Sequence, residues 1–458
     1  MQVAKLTTLV LGAGFVAGCG DNLEAPNFPK TDCTKVTATH CIEVHGGESA
    51  ELLTAANSIE PNTTIVLGAG KFAMTNQLTI NTAGTHLIGQ GIDQTTLDFG
   101  ATTTQSDGVY AIGNDFLIQD LTVLDAPKDG IRVESSKGVV FRRIRATWTK
   151  ESSPSNGAYG IYPVKSQNVL VENSSAENAS DAGLYVGQCQ HVIVRNNTVT
   201  GNVAGLEIEN TQYADVYGNT AEDNTGGIVV FDLPGNPIVG RDIRLRNNII
   251  RNNNHTNFAS GGTVASIPVG TGTFAMASRR VEITGNTYEN NHTGDIALIS
   301  GLALEPDMQK WTLPTATLSG TYDDLGLLPG GAPNTIMNFR GENIVVANNK
   351  HTGSGTMADA RDPLMLGLLL LVAYGNQPVD SILYDTIGEP MFHSTDAALN
   401  SNANHMCIGG NTGGTFASLS LAQQTATTQI PFFRPAKPFK PFDCTALNGG
   451  PVADVVLP

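Results

Sequence analysis

Positive charge, aromatic side chains and long apolar runs are all scarce in this chain, and each shortage removes a class of protein. Lys and Arg number 26 against 42 Asp and Glu, a formal charge of −16. A polyanion would be repelled at long range, which argues against a nucleic-acid or anionic-lipid binder. Aromatics are 6% and charged residues 15%, while Gly reaches 50 and Asn crowds the middle third. Gly and Asn are poor helix formers, so a helical bundle is disfavoured. Both tolerate left-handed backbone angles, which suits a chain of many tight turns. The most apolar run of the body, Leu364 to Ala373, is far below the roughly 20 residues of a spanning helix. It reads as a buried strand or a hydrophobic end-cap. The nine His are scattered, and no Cys/His spacing matches a zinc site.

The N-terminus is where apolar residues do gather. Lys5 is a thin positive region and Leu6 to Val16 an apolar one, too short and Gly-rich to span a bilayer. Val16-Ala17-Gly18-Cys19 resembles the lipobox of bacterial lipoproteins. Residues 1–18 are therefore expected to be a signal peptide and Cys19 a lipidation site. That implies an exported protein tied to a membrane only through its anchor, on the periplasmic or surface face of an outer membrane. In an oxidising compartment Cys33 and Cys41 are expected to pair, as are Cys407 and Cys444, with Cys189 a buried free thiol.

An internal repeat fixes the architecture. Gly160-Ile161-Tyr162-Pro163, Gly183-Leu184-Tyr185-Val186, Gly205-Leu206-Glu207-Ile208 and Gly227-Ile228-Val229-Val230 align without gaps, their glycines 23, 22 and 22 residues apart. Gly130-Ile131-Arg132-Val133 precedes them. Each is followed by a second apolar strand, then an Asn-rich turn with Asn197, Asn219, Asn248, Asn286 and Asn349 equivalent and Ser174 in an earlier coil, then a short third strand. One such unit cannot bury a hydrophobic face, but stacked units can, through parallel ladders about 4.8 Å apart. The Asn residues should form a ladder satisfying buried turn groups. Period-two alternation excludes helical repeats. The expected fold is all-β, a single-stranded right-handed parallel β-helix with an N-terminal cap and irregular C-terminal coils and tail. A tether and small loop should occupy residues 19–45, and the β-helix 46–350 with insertions at about 251–280 and 301–340. Terminal coils and a cap should fill 351–458, and a capping helix Ala50 to Ser58.

The pattern resembles the parallel β-helix repeats of pectate lyases, alginate epimerases and NosD-type proteins. The stronger resemblance is to exported parallel β-helix repeat-containing lipoproteins. Asp181-Ala182-Gly183-Leu184-Tyr185-Val186-Gly187, Val203-Ala204-Gly205-Leu206-Glu207-Ile208-Glu209-Asn210 and Gly226-Gly227-Ile228-Val229-Val230-Phe231-Asp232 carry it, with the tail residues Phe442-Asp443-Cys444 and Val455-Val456-Leu457-Pro458. It implies a polysaccharide or cell-envelope glycan as ligand and a second exported protein as companion. The Asp-Pro-His-Asp motif of alginate epimerases and the aspartate cluster that holds calcium in pectate lyases are both missing. No cofactor is expected, and calcium has no motif to hold it. A monomer is expected.

With Ile131, Ile161, Leu184, Leu206 and Ile228 inside, the next residues should form an exposed column, Arg132, Tyr162, Tyr185, Glu207 and Val229. A second column is Glu134, Val164, Gly187, Glu209 and Phe231, with Lys128, Asp129, Tyr159 and Asp181 at the rim. Seven of the 26 cations lie between Lys128 and Lys150, either a solvated edge or an anion-binding patch. For elimination or epimerisation of a uronate, Arg132 or Lys128 would hold the carboxylate and Tyr162, Tyr185 or Lys165 remove the proton. For hydrolysis, Glu207, Glu209, Asp181 and Asp129 supply carboxyls. The local cations favour a lyase or epimerase on an acidic polysaccharide, with Arg132, Tyr162, Tyr185 and Glu207 as the reacting set. The other open class is a non-catalytic module binding glycan or a partner protein.

Overall fold

The glycine that opens each repeat stands where no side chain fits. A Cβ on Gly160 would lie 2.4 Å from the carbonyl oxygen of Gly183, and one on Gly205 2.6 Å from that of Gly227. Successive coils approach so closely at this corner that glycine recurs on each rung from Gly108 to Gly272, giving way to Asp295, Ser381 and Thr415 on the later ones. The computed structural model describes residues 31–314 except 237, 335–419 except 357, 360–365 and 390–400, and 440–458. The signal segment, Cys19, residues 315–334 of the second insertion and residues 431–439 of the Pro-rich tail lie outside them.

The Gly-initiated strands form one parallel sheet of eleven strands. Its register puts Ile131 beside Ile161, Ile161 beside Leu184, Leu184 beside Leu206 and Leu206 beside Ile228. The second strands, Gln167–Glu172, Gln190–Arg195, Gln212–Tyr217, Arg241–Arg246 and Arg279–Thr284, pair in parallel in the same way. So do the short third strands Ser175–Glu177, Thr198–Thr200 and Thr220–Glu222. The inward Val, Ile and Leu of all three make one continuous core from Val44 to Phe442. This is the expected right-handed parallel β-helix.

Asparagine has two separate tasks at the corner between second and third strands. Asn196, Asn247 and Asn348 hold φ of 55–58°, and Gly218 and Gly285 fill the same place at 65°. The residue that follows turns inward. Asn197 donates its backbone N–H and its amide to Asn219 Oδ1, both at 3.0 Å, and Asn219 does the same to Asn248. The chain of bonds continues through Asn286 and Asn349 to Asn411, and Ser174 caps it by donating its N–H to Asn197. A second ladder not foreseen from the sequence, Asn202, Asn224, Asn253 and Asn291, runs along the next corner.

Helix Ser49–Asn57 caps the first coil through Leu52, Ala55 and Ala56. Both expected disulfides are present, with Cα atoms 5.8 Å apart for Cys33–Cys41 and 4.8 Å for Cys407–Cys444. Cys189 is free and buried. The apolar run differs from expectation. Leu366–Tyr374 is a helix, and Leu370 packs on Leu383, Ala417 and Leu419, on the outside of the last strands. Regular strands resume at Thr271 after the first insertion, which therefore closes near residue 270, and strands of the coils continue to Phe416–Ser418.

A covered face of tyrosines and buried carboxyls

The expected column exists. Tyr162 is paired with Arg132, and Tyr185 with Glu207, as consecutive rungs of the Gly sheet. Tyr110 adds a rung before Arg132. The sequence signal for it is Asp107-Gly108-Val109-Tyr110, which repeats Asp129-Gly130-Ile131-Arg132 22 residues earlier.

Exposure of that column is only partly as expected. Tyr110, Arg132 and Tyr162 are half-buried, but Tyr185 is 4% and Glu207 1% exposed, and Val229 is buried too. The cause is the insertion between the third strand Ile249–Arg251 and the next Gly-sheet strand Thr271–Met276. Its Val264 and Ile267 pack with Tyr185, Val229, Phe231 and Phe274 in a second apolar cluster, outside the coil, with Trp311 and Phe339 of the other insertion. Gly262 passes over the Asp181 carboxyl. The tyrosines also cover one another. Tyr159 lies 4.6 Å from both Tyr162 and Tyr185, ring centre to ring centre. Tyr185 is therefore not an open stacking platform; the open end of the face is Tyr110, Arg132, Tyr159 and Tyr162.

The expected anion-binding patch also changes character. Lys128 bonds Asp107 at 3.2 Å and lies 3.4 Å from Asp129. Arg132 pairs with Glu134 at 2.6 Å, and Lys165 reaches the same carboxylate at 3.6 Å. Further along, Arg142, Arg143 and Arg145 pair with Glu172, Asp120 and Asp93. Five of the seven clustered cations thus have carboxylate partners. Around the face, three cations (Lys128, Arg132, Lys165) meet six carboxyls (Asp107, Asp129, Glu134, Asp181, Glu207, Glu209). The basic run is a neutralised edge, and the face as a whole is acidic.

Burial sets the protonation of this face. It pushes Asp129 up to about 6, with the Asp107 charge adding to it and Lys128 opposing. Asp181 rises to about 7 through burial and its acidic neighbours, against a hydrogen bond with Tyr159. Glu207 is raised well above the usual carboxylate range by burial and by Asp181 and Glu209. Glu209 is raised as well, though Tyr185, Asn236 and Gln188 hydrogen-bond to it. Tyr159, Tyr162 and Tyr185 all shift upward, chiefly by burial. Phenols held protonated can donate a hydrogen bond, and burial makes Tyr162 and Tyr185 weaker candidates for the base than the carboxyls beside them. Asp232, which sequence reasoning left unassigned, is buried beside the cluster, pushed up to about 7 and hydrogen-bonded by the Gly240 N–H.

Arg132 sits between two rings, 5.6 Å from the Tyr110 centre and 5.5 Å from that of Tyr162, a cation–π arrangement that fixes its position. Among the described residues no group of three or more His, Cys, Asp or Glu is placed to hold a metal. Carboxyls whose pKa burial raises toward neutrality, Asp129 and Asp181, can exchange protons near neutral pH.

No curated protein matches this chain. Likenesses to solved structures are distant. The A-module of mannuronan C-5 epimerase AlgE4 from Azotobacter vinelandii is 14% identical, over 81% of this chain and 86% of that one, with a TM-score of 0.44. For the alginate lyase from Paenibacillus sp. str. FPU-7 the values are 16%, 57%, 91% and 0.42. For pectate lyase Pel9A they are 14%, 92%, 97% and 0.40. At this distance they carry no argument about chemistry. A family profile, the right-handed beta helix region, matches residues 80–240 and 154–305. That profile and the strand register above describe the same right-handed parallel β-helix.

Proposed function

We propose that the open end of the Gly sheet binds a polysaccharide chain and processes it by general acid–base chemistry on carboxyl groups. The observation that carries this is the set of partly and fully buried acids beside the tyrosines, with Asp129 raised to about 6, Asp181 to about 7 and Glu207 raised as well. A proton donor near neutral pKa, next to a second carboxyl that ionises more readily, is the requirement for cleaving a glycosidic bond. Asp181 and Asp129 are the acid and base of this reading. Tyr162 and Tyr159 orient the sugar by stacking and by donated hydrogen bonds. Hydrolysis is favoured over uronate elimination because the nearby cations already carry carboxylate partners and the tyrosines stay protonated. Among the described residues Arg132 Nε is buried without a hydrogen-bond partner, and a sugar hydroxyl oxygen would satisfy it.

The test is product formation on a panel of neutral, amino- and uronate-containing polysaccharides. Hydrolysis should release reducing ends, whereas elimination would release an unsaturated, ultraviolet-absorbing sugar. Asp181→Asn and Asp129→Asn should each lower the rate by at least about 100-fold. Binding without any product, unchanged in these variants, would make the face a non-catalytic module for glycan or for a companion protein.

Localisation is part of the same reading. Lipidation at Cys19 would be the chain's only strong membrane affinity. Cys19→Ser should move the protein from the membrane to the soluble exported fraction, and retention after salt washing would refute the anchor.

A further inference from the structure

The charge of the face points to a particular ligand chemistry. Resting on the reading of this face as a glycan site, we infer that it selects a sugar bearing a free amine over a neutral or a uronic sugar, with the ammonium received by Asp181 and Asp129.

Three observations converge. Among the acids, Asp129 Oδ1, Asp181 Oδ1 and Glu207 Oε1 are buried and have no hydrogen-bond partner among the described residues. Asp129 and Glu207 are each only 1% exposed, so these acceptors are deprived of solvent as well. A buried acceptor left unsatisfied is costly, and a charged one more so. An arriving donor is worth most where that cost is already present. The second observation is the charge balance. Lys128 is committed to Asp107 and Asp129, and Arg132 and Lys165 to Glu134. Among the described residues Asp181, Glu207 and Glu209 have no cation in ion-pair range, and a uronate would add a further negative charge beside them. The third is access. Asp181 is half-buried at the rim, next to Tyr159 and Tyr162, which are also half-buried. An ammonium can reach Asp181 from the open end while its ring lies against tyrosine. Glu207, one strand deeper beneath the insertion and 1% exposed, is not reached directly.

The chemistry is that of an amine donating up to three hydrogen bonds to carboxylate oxygens. N-acetylation removes both the charge and two of the donors, so the acetylated sugar is the closest neutral control.

The experiment is calorimetric titration of the full chain with three tetramers: glucosamine, N-acetylglucosamine and galacturonate. The glucosamine tetramer should bind at least about tenfold more tightly than either of the others. In Asp129→Asn and Asp181→Asn that ratio should collapse toward unity. If the galacturonate or the acetylated tetramer binds as tightly as the amine, the selectivity is overturned while the glycan reading stands. If none of the three binds, and a wider neutral panel also fails, the glycan reading itself falls. Should a variant fail to fold, the comparison of the three tetramers on the unaltered chain decides alone.

Discussion

Asn219 uses its whole hydrogen-bonding capacity inside one turn. Its side-chain oxygen accepts from the N–H and the amide of Asn197, and its own amide donates to Val194 O and Asn248 Oδ1. Leucine would occupy a similar volume and offer nothing, stranding donors above and acceptors below. Each buried group so stranded costs about 1–3 kcal/mol, so Asn219→Leu should lower the unfolding free energy by at least that much in equilibrium denaturation. A near-neutral result would show that the ladder contributes no stability. The acids of the face make a statement about pH with its own sign. An acid whose folded pKa exceeds its unfolded value binds the proton more tightly when folded. Its contribution is therefore full below about pH 4, the unfolded value, and lost as the pH rises through the folded one. Asp129 at about 6 and Asp181 at about 7 place that loss between about pH 4 and 7. Glu207 acts in the same direction. The denaturation midpoint of Glu207→Gln or Asp181→Asn should fall less steeply than wild type across this range. A variant slope equal to wild type would mean that these carboxyls are not protonated in the folded protein.

At the scale of elements, the insertion over the Gly sheet divides the tyrosines into two kinds. Tyr185 is packed under Val264 and Ile267, so Tyr185→Ala should cost about 3–5 kcal/mol, as for other large buried aromatics. Tyr162 is half-buried at the open end. Its replacement by Ala should cost much less stability and weaken glycan binding by about tenfold or more. Equal destabilisation by both would mean that the insertion does not cover one more than the other. This division was not legible in the sequence, and the reason is physical. Coil strands announce themselves by a 22-residue period, because each must repeat its neighbour's inward residues and its glycine corner. An insertion such as 252–270 has no period, and its contacts are made far along the chain. The column of Arg132, Tyr162, Tyr185 and Glu207 could be read; its cover could not. The ion pairs were closer to hand. Asp107 stands one 22-residue step before Asp129, so once those rungs are aligned Lys128 has two aspartates beside it. The ladder position of Asn197, Asn219 and Asn248 is legible from the period, whereas the left-handed angle of the residue before each, Asn196, Gly218 and Asn247, is not.

For the molecule as a whole, a stack held by nearest-neighbour ladders should respond locally to local damage. The C-terminal end of the core is closed by Phe442, wholly buried against Phe416 and Tyr384 and tied by its carbonyl to the Ile408 N–H at 2.7 Å. From there the tail runs back over the second strands. Arg280 donates to Asn448 O, the Val452 N–H to Glu282, and Asp454 meets Arg244 at 2.7 Å. Truncating the plug by Phe442→Ala removes about 3–5 kcal/mol of packing from the last coil. Earlier coils keep every contact they had. Hydrogen exchange should therefore quicken at least about tenfold in Cys407–Gly409 and Phe416–Ser418. In Gln190–Arg195, several rungs away, it should change by less than about twofold. The disulfide at Cys444 limits how far the end can open, and reducing it in the variant should carry the faster exchange inward to Glu342–Ala347. Uniform acceleration along the whole stack would instead mean that the coils unfold as one cooperative unit, with the end-cap holding all of them.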